Sequence, residues 1–158
     1  MTARLRAVTE ATELEVLRTV ASALVTGSRP RARLNNVIRV GLERALAEVD
    51  RAMTEVHSAE SLGARPGRQS RDLYDRVRRR IERAFMAVLM DATRLYDRLS
   101  RRDLTPEQMQ VELDHAARLR EGCRVNVQGR WWSLTTYTQT VLGSGCKRSG
   151  VWGTVDRG

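Results

Sequence analysis

Between residues 70 and 102, Tyr74, Val77, Ile81, Ala84, Val88, Ala92, Leu95 and Leu99 recur at steps of three and four residues. That spacing stacks apolar side chains along one side of an α-helix. A long helix with one continuous apolar seam looks like a coiled-coil strand, and its seam needs a partner surface to leave water. The preceding sequence supplies candidates. Residues 3–26 carry Leu5, Val8, Leu14, Leu17, Ala21 and Leu24, the later ones on a three-and-four step that predicts a helix with this stripe facing the core. Gly27, Ser28, Arg29 and Pro30 form a turn signal, after which Leu34, Val37, Ile38, Leu42, Ala45, Leu46, Val49, Met53 and Val56 mark a second, broader stripe. Two helices joined by so short a turn form an αα-hairpin that buries both stripes.

Gly63, Pro66 and Gly67 among polar residues make 61–70 a connector to the long helix. Beyond that helix, Thr105, Pro106 and Gln108 supply an N-cap, a first-turn proline and a capping-box acceptor, so a shorter helix starts there and ends before Gly122, with Met109, Leu113, Ala116 and Leu119 facing its neighbour. The period then changes. Residues 124–127 alternate, Gln128 and Gly129 can turn the chain, and Arg130, Trp131, Trp132 and Ser133 return it as a second strand. Leu134, Tyr137 and Val141 follow at helical spacing behind a Ser133 cap, and from Gly143 the pattern is lost in a glycine-rich tail. The expected fold is mainly α: long helical hairpins or an elongated bundle of four helices, a small C-terminal β-hairpin and a short helix. Its divisions are a helical domain over 1–122, a small unit over 123–142 and a flexible tail over 143–158.

Aromatic residues are only 4% of the chain, so aliphatic stripes must supply the packing. The net charge of +9 favours nucleic acid, an acidic partner surface or an anionic lipid face without choosing among them, and of the 28 basic residues only Lys147 is a lysine. No apolar run approaches the roughly 20 residues that a membrane-spanning helix requires, so no membrane partner is expected. The two cysteines, Cys123 and Cys146, form no CxxC pair and read as free thiols. His57 and His115 stand alone, with no spacing to the cysteines that defines a zinc site. Neither a glycine-rich phosphate loop, an HExxH nor a GxSxG motif occurs. The expectation is no enzyme, with no catalytic residue, cofactor or metal. Arginines cluster at Arg76, Arg79, Arg80 and Arg83 on the side of the long helix opposite its seam. They can neutralise a nucleic-acid backbone, and they equally suit a solvated helix face.

Residues 127–141 contain the pattern Gly129, Arg130, Trp132, Leu134 and Tyr137, spaced Gly-Arg-x-Trp-x-Leu-x-x-Tyr and followed by Val141. This segment, behind a long Arg-rich helical region, resembles phage minor capsid proteins of the portal-proximal minor head class. The resemblance implies a virion structural protein, made in the host cytoplasm, whose helices dock on capsid or portal proteins and whose arginines tolerate packaged DNA. Self-association is expected as well, because every helix carries an apolar face. The same residues also have a purely structural role: Trp132, Leu134, Tyr137 and Val141 can form a mini-core that closes the hairpin and short helix onto the long helix. Relatives of this kind continue beyond the motif, so a truncated or out-of-frame C-terminus after Leu142 is a further expectation; an enzyme fragment whose catalytic domain lies beyond residue 142 ranks third, behind the two non-enzyme readings. The alternative function is a sequence-nonspecific nucleic-acid-binding accessory protein using the Arg-rich helix.

Overall fold

Thr2 opens the first helix, its side-chain oxygen accepting the Leu5 amide at 3.1 Å, and α1 runs Ala3–Thr26 to a left-handed Gly27 cap. After the turn, α2 spans Arg31–Glu60 and α3 spans Arg68–Ser100. Thr105 starts α4 (Pro106–Arg118) with the complete capping box: its hydroxyl accepts the Gln108 amide at 3.2 Å, and the Gln108 side chain accepts the Thr105 amide at 3.0 Å. Strands β1 (Arg124–Val127) and β2 (Arg130–Ser133) pair antiparallel, and α5 covers Leu134–Ser149. The computed structural model describes residues 2–60 and 68–149, and side-chain surroundings at 2–55 and 71–143. Most of the expected connector over 61–70, and the tail from residue 150, therefore lie outside the described residues. The fold is mainly α, with the expected small hairpin ahead of a C-terminal helix.

The long helix is the centre of the packing, with α1, α2, α5 and β1 all against it. Its seam residues Val77, Ile81, Ala84, Val88, Ala92, Leu95 and Leu99 are buried, Tyr74 is half-buried, and Phe85 adds a fully buried ring beside the seam. Each fully buried side chain of that size stabilises the fold by about 1.5–3 kcal/mol relative to exposure. The expected α2 stripe is also inward: Leu34, Ile38, Ala45 and Val49 are buried, with Val37, Leu42, Leu46 and Met53 packed at the margin. Gly41 of α2 packs directly against Thr12 of α1. A Cβ there would stand 2.9 Å from Thr12 Cγ2 and 3.2 Å from Phe85 Cε1, so only glycine allows this approach. Residues 123–142, set apart as a small unit on sequence grounds, contribute Cys123, Val125, Leu134, Tyr137, Val141 and Leu142 to the same continuous core as α1–α3.

The stripe expected on α1 is corrected at Leu14, which is 49% exposed; Leu5 is buried, Val8, Leu17 and Leu24 pack at the margin of the core, and the centre of the buried face also runs through Thr9, Thr12, Glu13, Val16, Thr19, Val20 and Ala23. Threonine is tolerated there because each hydroxyl is satisfied within the helix: Thr9 donates to Arg6 O, Thr12 to Val8 O and Thr19 to Glu15 O, at 2.7–3.0 Å. Leu119, expected to face a neighbour, is 54% exposed because α4 ends at Arg118 and the chain turns away. The last helix is longer than its apolar spacing suggests and continues past Gly143 to Ser149.

Candidate functional site

The motif over 127–141 begins as a tight turn. Gln128 and Gly129 have φ of +52° and +80°, the left-handed pair that a two-residue turn needs to match strand twist, and the Gly129 amide donates to Asn126 Oδ1 at 3.1 Å. The register places Val125 opposite Trp132 and Asn126 opposite Trp131. Alternation then sends Val125 and Trp132 towards the core and leaves Trp131 46% exposed. Arginines cover both indoles: Arg130 lies 5.4 Å from the Trp132 ring centroid, and Arg124 lies 4.7 Å from that of Trp131.

The start of α5 is held from three directions. The Leu134 amide donates to Cys123 O at 3.0 Å, the Thr135 amide to Glu13 Oε1 at 2.8 Å, and the Thr136 amide to Ser133 Oγ at 3.1 Å. Three of the four amides that a helix N-terminus leaves unpaired are thus satisfied, and the Glu13 carboxylate stands at the positive end of the helix dipole. Leu134 and Val141 are fully buried, and Tyr137 is nearly so, with the Arg80 guanidinium 5.8 Å from its ring centroid. The structure therefore brings Trp132, Leu134, Tyr137 and Val141 together against the main core, with Gly129 and Arg130 at the hairpin end.

Two buried carboxylates fasten this segment to the bundle. Glu13 on α1 also accepts from the Thr135 hydroxyl and from Arg120 Nη1 at 2.8 Å. Asp91 on α3 accepts the Gly122 amide at 2.8 Å and the Arg124 amide at 3.1 Å. Between them lies Cys123, a free thiol that donates to Glu13 O at 3.3 Å. Burial pushes this thiol well above its ordinary value, the negative charges of Glu13 and Asp91 push the same way, and Arg120 opposes them. Such a thiol is protonated at neutral pH and a poor nucleophile, and the bonds around it hold chain segments together. Local sequence gave no signal for Glu13, Asp91 or Thr135, whose partners lie 31 to 122 residues away.

The arginine cluster occupies a separate surface. Arg76, Arg79, Arg80 and Arg83 are all exposed on α3, and none of them forms an ion pair among the described residues. Their neighbour Arg78 differs, reaching Asp50 at 3.6 Å and the Tyr74 hydroxyl at 3.0 Å. His115 is exposed near the end of α4, while the side chains of His57 and Cys146 lie outside the described residues. Among the described residues no group of three or more potential ligands is placed to hold a metal ion, and no helix is long and apolar enough to cross a membrane. In comparisons with protein-family models, curated proteins and solved structures, the chain matches none.

Proposed function

We propose that the chain is a virion structural protein, a phage minor capsid or head protein that associates with the portal or capsid through helical faces and has no catalytic role. The observation that carries this reading is the motif itself: each of its positions has a structural post. Gly129 permits the turn, Arg130 covers Trp132, Leu134 and Val141 fill the core, and Tyr137 meets Arg80. Co-production with portal and major capsid subunits tests it. The wild-type chain is expected to bind one of them, and Tyr137→Ala, which loosens the α5 contact, is expected to weaken that binding. A folded chain that binds neither subunit overturns the proposal.

The second reading is a sequence-nonspecific nucleic-acid-binding accessory role, favoured by the four exposed arginines on α3 that have no carboxylate partner among the described residues. If each neutralises one phosphate, log K against log salt falls with a slope of about −3.6 on duplex DNA. Replacing all four by Gln should flatten that slope to near zero. Affinity that does not change with salt, or that survives the replacement, removes this reading.

A further inference from the structure

Two contacts mark the side of α3 that meets the C-terminal segment: Arg80 lies over the Tyr137 ring, and Asp91 accepts the Gly122 and Arg124 amides. At about 100° per residue, Arg76 and Arg83 fall within about 60° of Arg80 around the helix, on its solvent flank. Both are exposed, whereas Asp75 and Glu82 stand on the α2 side, where Arg78 reaches Asp50. Asp72 lies at the far end, so the stretch from Arg76 towards the hairpin carries one sign of charge. Ala87, between Arg83 and Asp91 on the same flank, is a small side chain that leaves the way to the hairpin open. At the end of this path stands Trp131, with the Arg124 guanidinium 4.7 Å from its ring centroid. Arg124 is itself held, its Nε 3.8 Å from Asp91 Oδ2 and its Nη2 3.6 Å from Glu121 Oε1, so one side chain separates the indole from α3. With Arg124 fixed on one face and Trp131 46% exposed, the other face of the indole is open to solvent.

We propose that this surface binds single-stranded nucleic acid, with backbone phosphates on Arg76, Arg80 and Arg83 and one unpaired base stacked on the free face of Trp131. The inference rests on the nucleic-acid reading of the α3 arginines and adds to it the strand type and the stacking residue. An aromatic face takes a base only when that base is out of the duplex stack, and such stacking is tolerant of sequence. The guanidinium behind the ring fixes the indole before a ligand arrives and adds its own charge to the site. A carboxylate-rich protein surface would satisfy the arginines alone, whereas a single strand uses both the charge and the open indole.

The test uses the full chain and short labelled oligothymidylate, with oligouridylate and a duplex of the same length for comparison. At least one single strand is expected to bind more tightly than the duplex, and the difference between the two tells DNA from RNA. Trp131→Ala should weaken single-strand binding about 5- to 100-fold, with the salt slope and the unfolding midpoint unchanged, and Trp131→Phe should keep most of the affinity. In a Trp132→Phe, Trp152→Phe background, emission from Trp131 should be quenched on binding, which a merely structural residue would not show. A preference for duplex, single-strand affinity untouched by Trp131→Ala, or polyglutamate competing as well as oligothymidylate overturns the proposal. A steep salt slope on duplex alongside any of these leaves the α3 reading standing, whereas no binding to any strand removes both.

Discussion

Replacing Glu13 by Ala removes the buried acceptor that ties α5 to α1. The Thr135 amide and hydroxyl both donate to its carboxylate at a buried site. Each buried donor left unpaired costs about 1–3 kcal/mol. The Arg120 contact adds less than about 1 kcal/mol, because that side chain is 47% exposed and solvent screens it. The expected loss is about 3–5 kcal/mol, in line with truncating one member of a buried pair. At about 3 °C per kcal/mol for a chain of this size, the unfolding midpoint should fall by about 10 °C or more. Glu13→Gln keeps an acceptor for Thr135 and loses only the charge, so about 1–2 kcal/mol is expected. Urea unfolding followed by circular dichroism measures both, and amide exchange at Thr135 localises the effect. An Ala variant within 1 kcal/mol of wild type, or no better separated from Gln than the error, refutes the claim that Glu13 fastens the C-terminal segment.

Gly41→Ala should destabilise the chain by about 1–3 kcal/mol through overpacking against Thr12 and Phe85, despite the roughly 1 kcal/mol that alanine gains in a helix, and Thr12→Ala should recover part of the loss in a double-mutant cycle. Thr138 is fully buried with a hydroxyl that has no hydrogen-bond partner among the described residues, so Thr138→Val should leave the midpoint unchanged or raise it; a fall of more than 1 kcal/mol contradicts the idea. The raised Cys123 thiol gives a pH dependence. Above its ordinary value near 9.0 the unfolded chain loses that proton and the folded one keeps it, so stability should decline with rising pH by up to about 1.4 kcal/mol per pH unit. Cys123→Ala should remove that part of the decline, as measured by urea titration across the range.

Some of this architecture is written locally and some is not. The α3 seam, the Thr105–Gln108 capping box and the Gln128–Gly129 turn each depend on residues within one or two turns of one another, so spacing and residue type were enough to place them. The inward face of α1 is legible only in part, through Leu5, Val8, Leu17 and Leu24, because four of its buried positions are polar and hydropathy spacing discards them. Thr9, Thr12 and Thr19 satisfy themselves on their own helix, and Glu13 depends on Arg120 and Thr135, which only the folded chain brings near. Leu14 was misplaced for the same reason: once the threonine face is inward, the leucine one step around the helix is outward. The motif was found in the sequence, whereas the carboxylates that hold it down came only from the structure.

The most direct test of the proposed virion role is peptide mass spectrometry on gradient-purified particles recovered from cells that carry the gene. A virion protein should yield peptides from α1 to β2 in mature heads, at a constant ratio to portal protein across preparations. Peptides abundant in the infected lysate and absent from purified heads would contradict it.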